Sequence, residues 1–158
     1  MSESFAHSSI WKTSDAIFGT TLVVGLALHF VPSLNVTFPI PVGLRIVVGV
    51  LLVLAGVIAI VLAKRGLKSA GQPAAPGKPT TQVVEVGIYR FSRNPLYLGL
   101  IAVLPGLGLS VGIAWWVILT VPLFFMLQHL LIIPEEQYLL GRFSEQYVAY
   151  RSRVRRWL

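Results

Sequence analysis

The chain has 158 residues, of which 55% are hydrophobic and only 12% charged, with a mean hydropathy of +0.76, which excludes an ordinary soluble domain. It contains no cysteine, so disulfides, thiolate metal sites and covalent thiol chemistry are excluded. A net charge of +7 would suit nucleic acid, but the basic residues stand in two blocks flanking apolar runs, where anionic lipid headgroups are the simpler counterpart; nucleic acid is not an expected partner.

These properties predict an all-α integral membrane protein, a single domain over residues 1–158 with four transmembrane helices and a C-terminal amphipathic helix on the cytosolic side. The first two spans are expected at about 16–34 and 42–63, nearly continuous apolar runs of the length needed to cross roughly 30 Å of hydrocarbon. A cleavable signal peptide is not expected, because the first run follows a polar stretch and lacks a small-residue cleavage site. A cytosolic loop follows at 64–95, whose Gly- and Pro-rich part, 66–81, fits a flexible connector or a flap over a cytoplasmic pocket.

The third span, about 96–111, carries Pro105 among glycines, and the fourth, about 113–133, carries Pro122; such breakers are tolerated where neighbours satisfy the freed backbone. A tight turn at 110–112 joins them, and Gly106 and Gly108 suit helix packing rather than phosphate binding. The last helix is expected at 134–154, with Leu139, Phe143, Tyr147, Tyr150 and Val154 forming one apolar stripe at spacings of three and four. Lys64, Arg65, Lys68, Lys78, Arg90 and Arg93 precede the hairpin and Arg142, Arg151, Arg153, Arg155 and Arg156 follow it, whereas the loops at 31–41 and 110–112 are uncharged. The positive-inside rule therefore puts both basic blocks and both termini in the cytoplasm.

The hairpin brackets two polar blocks. In the first, Tyr89, Arg93, Asn94, Pro95 and Tyr97 surround the start of the third span. Asn94-Pro95 suits a helix start, so Asn94 is either a simple cap or, with its neighbours, part of a pocket at the positive end of the helix dipole. In the second, Glu135 and Glu136 follow Pro134; they serve either to balance the helix dipole or to hold a cationic ligand such as a sulfonium or amino group. His129 is the only ionisable group within the fourth span, and with no clustered partners a metal site is not expected.

The pattern Gly87-Ile88-Tyr89, Ser92-Arg93-Asn94-Pro95-Leu96-Tyr97-Leu98-Gly99, Glu135-Glu136, Leu139, Phe143, Tyr147, Tyr150 and Arg153-Val154 resembles the isoprenylcysteine carboxyl methyltransferase and phospholipid methyltransferase superfamily, in particular its short bacterial four-span members. The resemblance implies an S-adenosylmethionine-dependent enzyme of the bacterial inner membrane, with its cofactor on the cytosolic side between the last spans and the C-terminal helix. The cofactor-binding residues it suggests, together with the polar groups near them, are Tyr89, Arg93, Asn94, Pro95, Tyr97, Leu98, Gly99, His129, Glu135, Glu136, Tyr147 and Tyr150. Glu135, Glu136 and Arg151 are the candidates for catalysis, with Arg151 or Arg153 toward the substrate. Prenyl-protein enzymes of the superfamily usually have His before the Pro where this chain has Asn94, which argues against a prenylated-protein substrate.

Methyl would pass from the sulfonium to a carboxylate, amine or thiol of a lipophilic or small amphipathic acceptor, with membrane lipids as surroundings. The oligomeric state is left open. Two other classes fit the same hairpin: an NADPH-dependent membrane reductase of sterol-reductase type, and a non-enzymatic small transporter or lipid-binding protein.

Overall fold

The computed structural model describes residues 14–72 and 81–158; the centre of the expected flap lies outside them. The described residues are mostly helical, with no strand among them. The order is α1 (Ser14–His29), a short turn at Pro32–Leu34, α2 (Val42–Ser69), a 3-10 turn at Gly87–Arg90, α3 (Pro95–Val111), α4 (Ala114–Ile118), α5 (Thr120–Leu127), a π turn at Gln128–Ile132 and α6 (Ile133–Arg153). Two helical stretches, Val42–Ser69 and Ala114–Arg153, are long and apolar enough to cross a membrane, and α1 and α3 are shorter apolar helices.

α2 is built inside out by soluble-protein standards. Its buried positions are Gly49, Gly56, Ala63 and Gly66, while Val47, Val50, Leu51, Leu54 and Ile58 point outward. Where lipid supplies no hydrophobic drive between helices, small residues let backbones approach and gain dispersion contact. The most extensive helix contact among the described residues, α2 on α3, uses this device. A Cβ on Gly56 would lie 2.6 Å from the Gly99 carbonyl oxygen, and one on Gly106 would lie 2.8 Å from the Val53 nitrogen. Gly49 likewise faces Ser110, whose nitrogen would lie 2.6 Å from an added Cβ.

α2 also runs six residues past the expected end at 63, carrying Lys64, Arg65 and Lys68 on its last turns. Long basic side chains are good helix formers and suit the negative end of the helix dipole. The hairpin turn forms at Gly112, which takes the left-handed conformation at φ 92° and closes α3. The return leg divides at Leu119, just before Pro122, whose ring excludes the carbonyl of Ile118 from an ordinary helical bond. Leu104, Leu123, Leu127 and Leu131 pack with Ile17 of α1 as one buried cluster, and Tyr97 lies against it.

The apolar stripe of α6 closes over the segment leading into α3: Tyr147, Tyr150 and Val154 bury against Val83, with Leu139 and Phe143 alongside. Within α6, Ser144 has φ 31° and ψ −103°, outside helical space. This break divides the part of α6 that carries Glu135 and Glu136 from the part that carries Tyr147 and Tyr150.

Candidate functional site

Pro95 sits at the first turn of α3, where its missing N–H is no loss. Asn94 does not cap the helix with its side chain. Its Nδ2 donates instead to the Arg156 carbonyl at 3.1 Å, and its own N–H is received by the Ser92 hydroxyl at 3.1 Å. The Arg93 guanidinium, its side chain only 9% exposed, pairs with Glu136 at 3.0 Å and donates to the Tyr147 hydroxyl at 3.1 Å. The hairpin thus joins block one to block two directly.

The adjacent carboxylates of α6 have different fates. Glu136 accepts from Arg93 and also from Arg156, whose Nε and Nη2 reach its two oxygens at 2.6–3.2 Å. Glu135 has one hydrogen bond, a long 3.4 Å from the Tyr97 hydroxyl, and among the described residues no cation pairs with it. Arg93 Nε is buried without an acceptor. A carboxylate without a cation and a buried N–H without an acceptor therefore flank the same closed ion pair.

Tyr150 donates to the Tyr89 carbonyl at 2.7 Å, tying α6 to the 3-10 turn. Burial pushes the Tyr89 and Tyr150 phenols up, Arg93 partly opposing this at Tyr150; burial, with Glu136 nearby, does the same at Tyr147. These phenols stay neutral. The hydrogen bonds to Glu136 hold the Arg156 guanidinium above its ordinary range.

A family model, phospholipid methyltransferase, matches residues 44–146, from α2 through both polar blocks into α6. The chain belongs to the phospholipid methyltransferase family. It is accordingly a membrane-associated protein of a methyltransferase family. No curated protein and no solved structure gives a match.

The structure of this phospholipid methyltransferase family member brings Arg93, Asn94, Glu136 and Tyr147 together and sets Tyr97 on Glu135, Tyr89 on Tyr150. Other expected site residues stand elsewhere. Gly99 faces Gly56 and Ile60 of α2 in the helix contact. Leu98 is partly buried and has no polar group to offer. His129 is exposed and stacks on Phe125 at 6.4 Å between ring centroids, outside the hydrogen-bonded cluster. Arg151 is exposed, and Arg153 pairs with Glu85 at 2.7 Å, on the surface.

Gln128, Arg156 and Trp157 belong to the cluster although no motif names them, and Ser92, a motif residue not expected in the site, joins them. Ser92 Oγ donates to the Arg156 carbonyl at 3.3 Å, the Arg93 N–H to the Arg155 carbonyl at 3.0 Å, and Trp157 Nε1 to the Gln128 side chain at 3.3 Å. One signal was available: two arginines and a tryptophan stand just beyond the apolar stripe, complementary to an acidic pair with too few partners.

Proposed function

We propose that the protein is an S-adenosylmethionine-dependent methyltransferase with a cytosolic site, acting on a lipophilic or small amphipathic acceptor in or at the membrane. The observation that carries this is the closed Arg93–Glu136 pair beside an unpaired Glu135 and an unsatisfied Arg93 Nε. Those two vacant polar positions complement the zwitterionic end and sulfonium charge of an amino-acid-derived cofactor, so the residues present fit it. Bound there, the cofactor would supply a methyl group on a positively charged sulfur, activated for in-line transfer to the acceptor's lone pair, with the sulfur as leaving group.

The protein's part is placement. Arg93 and Glu135 would hold the two ends of the polar head, Tyr97 would orient the Glu135 carboxylate, and the Tyr147–Tyr150 face of α6 would keep water out. Holding reactants in line supplies on the order of 7–11 kcal/mol of the barrier lowering. Glu136 is committed to two arginines, which leaves Glu135 as the group able to take a proton if the acceptor is an amine. A carboxylate or thiolate acceptor needs no base.

In this reading α1, α2, α3 and the α4–α5 leg serve as four spans, with the cluster on the cytosolic side of an inner membrane and within reach of acceptors entering from the lipid. The test is purification in mild detergent followed by mass spectrometry of the released small molecules. S-adenosylmethionine or S-adenosylhomocysteine at near-stoichiometric amount is the expected result; a nicotinamide cofactor instead would assign the reductase reading.

A further inference from the structure

The segment after α6 turns back at Val154, which leaves helical space at φ −120°, and lays its backbone along block one. Its carbonyls at Arg155 and Arg156 receive the Arg93 N–H, the Ser92 hydroxyl and the Asn94 amide. Its Trp157 packs on Phe124 at 5.0 Å between ring centroids and donates to Gln128, fixing the strap to the last membrane-directed leg. Between these anchors, Arg156 reaches into the acidic pair. Residues 155–157 therefore touch block one, block two and the α5 leg at once.

The chemistry of the Arg156 contact is directional. A guanidinium offers a planar fork, and here Nε and Nη2 engage both oxygens of one carboxylate. The Glu136 end is 13% exposed and the Arg156 end 37% exposed, so the buried partner is the one being held. Glu136 in turn receives Arg93 on Oε1, so the orientation of Arg93, and of its unsatisfied Nε, depends on a carboxylate that Arg156 keeps from rotating. With Glu136 committed to two cations, Glu135 is the carboxyl of the pair that no cation among the described residues holds.

We propose that Arg156 is a positioning residue of this site: acting through Glu136, it holds Arg93 in place and reserves Glu135 for the cationic ligand. The inference rests on the proposed cofactor but concerns a residue beyond the family match, which ends at 146. A purely structural strap would lower stability without altering ligand affinity once the protein is folded. A strap that occupies the ligand's place would raise affinity when loosened.

The experiment titrates S-adenosylhomocysteine into the full chain and its variants in mild detergent, with melting temperature measured in parallel. Arg156→Gln should bind roughly tenfold or more weakly at nearly unchanged melting temperature, and Arg156→Lys, which keeps charge but loses the fork, should fall between. The double variant Arg156→Gln/Glu136→Gln should bind no more weakly than Glu136→Gln alone, because the two act in one chain of contacts. Wild-type or tighter binding by Arg156→Gln, or additive losses in the double variant, would overturn the proposal. If Arg156→Gln does not fold, Arg156→Lys decides: weakened binding supports the fork and wild-type binding refutes it. Absence of binding in the wild type would fail the cofactor assignment itself, a distinct outcome that removes this inference too.

Discussion

Glu135 and Glu136 are neighbours in sequence with opposite electrostatic situations, and their variants should separate accordingly. Removing Glu136 leaves the largely buried Arg93 without its counter-ion, so Glu136→Ala should cost about 3–5 kcal/mol in thermal or denaturant unfolding. Glu135→Gln removes a carboxyl that no described cation holds and whose burial is costly, so stability should hold or rise while ligand affinity falls roughly tenfold. Equal stability losses at the two positions would contradict the asymmetry. Arg155→Ala removes an exposed side chain and keeps the backbone carbonyl that receives the Arg93 N–H, so it should change neither quantity. At alkaline pH the buried phenols take over. Burial raises the Tyr150 pKa above its unfolded value, so folding favours the neutral phenol: its stabilisation is complete below about pH 10 and is lost as pH rises further. Melting temperature should fall above that pH, and less steeply in Tyr150→Phe; parallel curves would show that this phenol is not linked to folding.

At the scale of helices, the glycine contact between α2 and α3 predicts a sharp contrast among equivalent-looking substitutions. Gly56→Ala or Gly99→Ala places a methyl against opposing backbone, which cannot yield locally, and should destabilise by about 1–3 kcal/mol. Gly19→Ala meets nothing within 4 Å on α1 and should be neutral or stabilising by up to about 1 kcal/mol. Melting curves in one detergent check the pair. The helical hairpin, its Gly112 turn, the start of α3 at Asn94-Pro95 and the stripe on α6 were legible because each rests on local chemistry: a long apolar run, a left-handed glycine, a Pro at a first turn, a period of 3.6. The glycine register of α2 was not, since Gly49, Gly56 and Ala63 gain meaning only when a second helix is laid against them. The extension of α2 through Lys68 was hidden by treating charge as the end of the helix, although charge ends only its apolar part.

For the whole molecule, folding back is the source of the site. Arg93 and Glu136 meet because the hairpin returns the chain to one face, and the segment beyond Arg153 completes the ring from a third direction. That the two blocks would meet was legible from sequence, because a helical hairpin with a tight turn returns the chain to the end where it started. Which carboxylate would be spent on arginines could not, since that depends on side-chain geometry across the hairpin. Reporters fused after Leu158 and inserted near Gly71 should both report the cytoplasm, and one at Ser33 the opposite side; an outward signal at Gly71 would contradict the four-span arrangement and separate the basic blocks. The most direct test of the account is calorimetric titration of S-adenosylhomocysteine into the purified wild-type protein and Glu135→Gln, each shown to be folded. Micromolar binding by the wild type, about 7–8 kcal/mol, with a roughly tenfold loss in Glu135→Gln is the predicted result. No heat of binding to a folded wild type, or equal affinity in the two proteins, would contradict it.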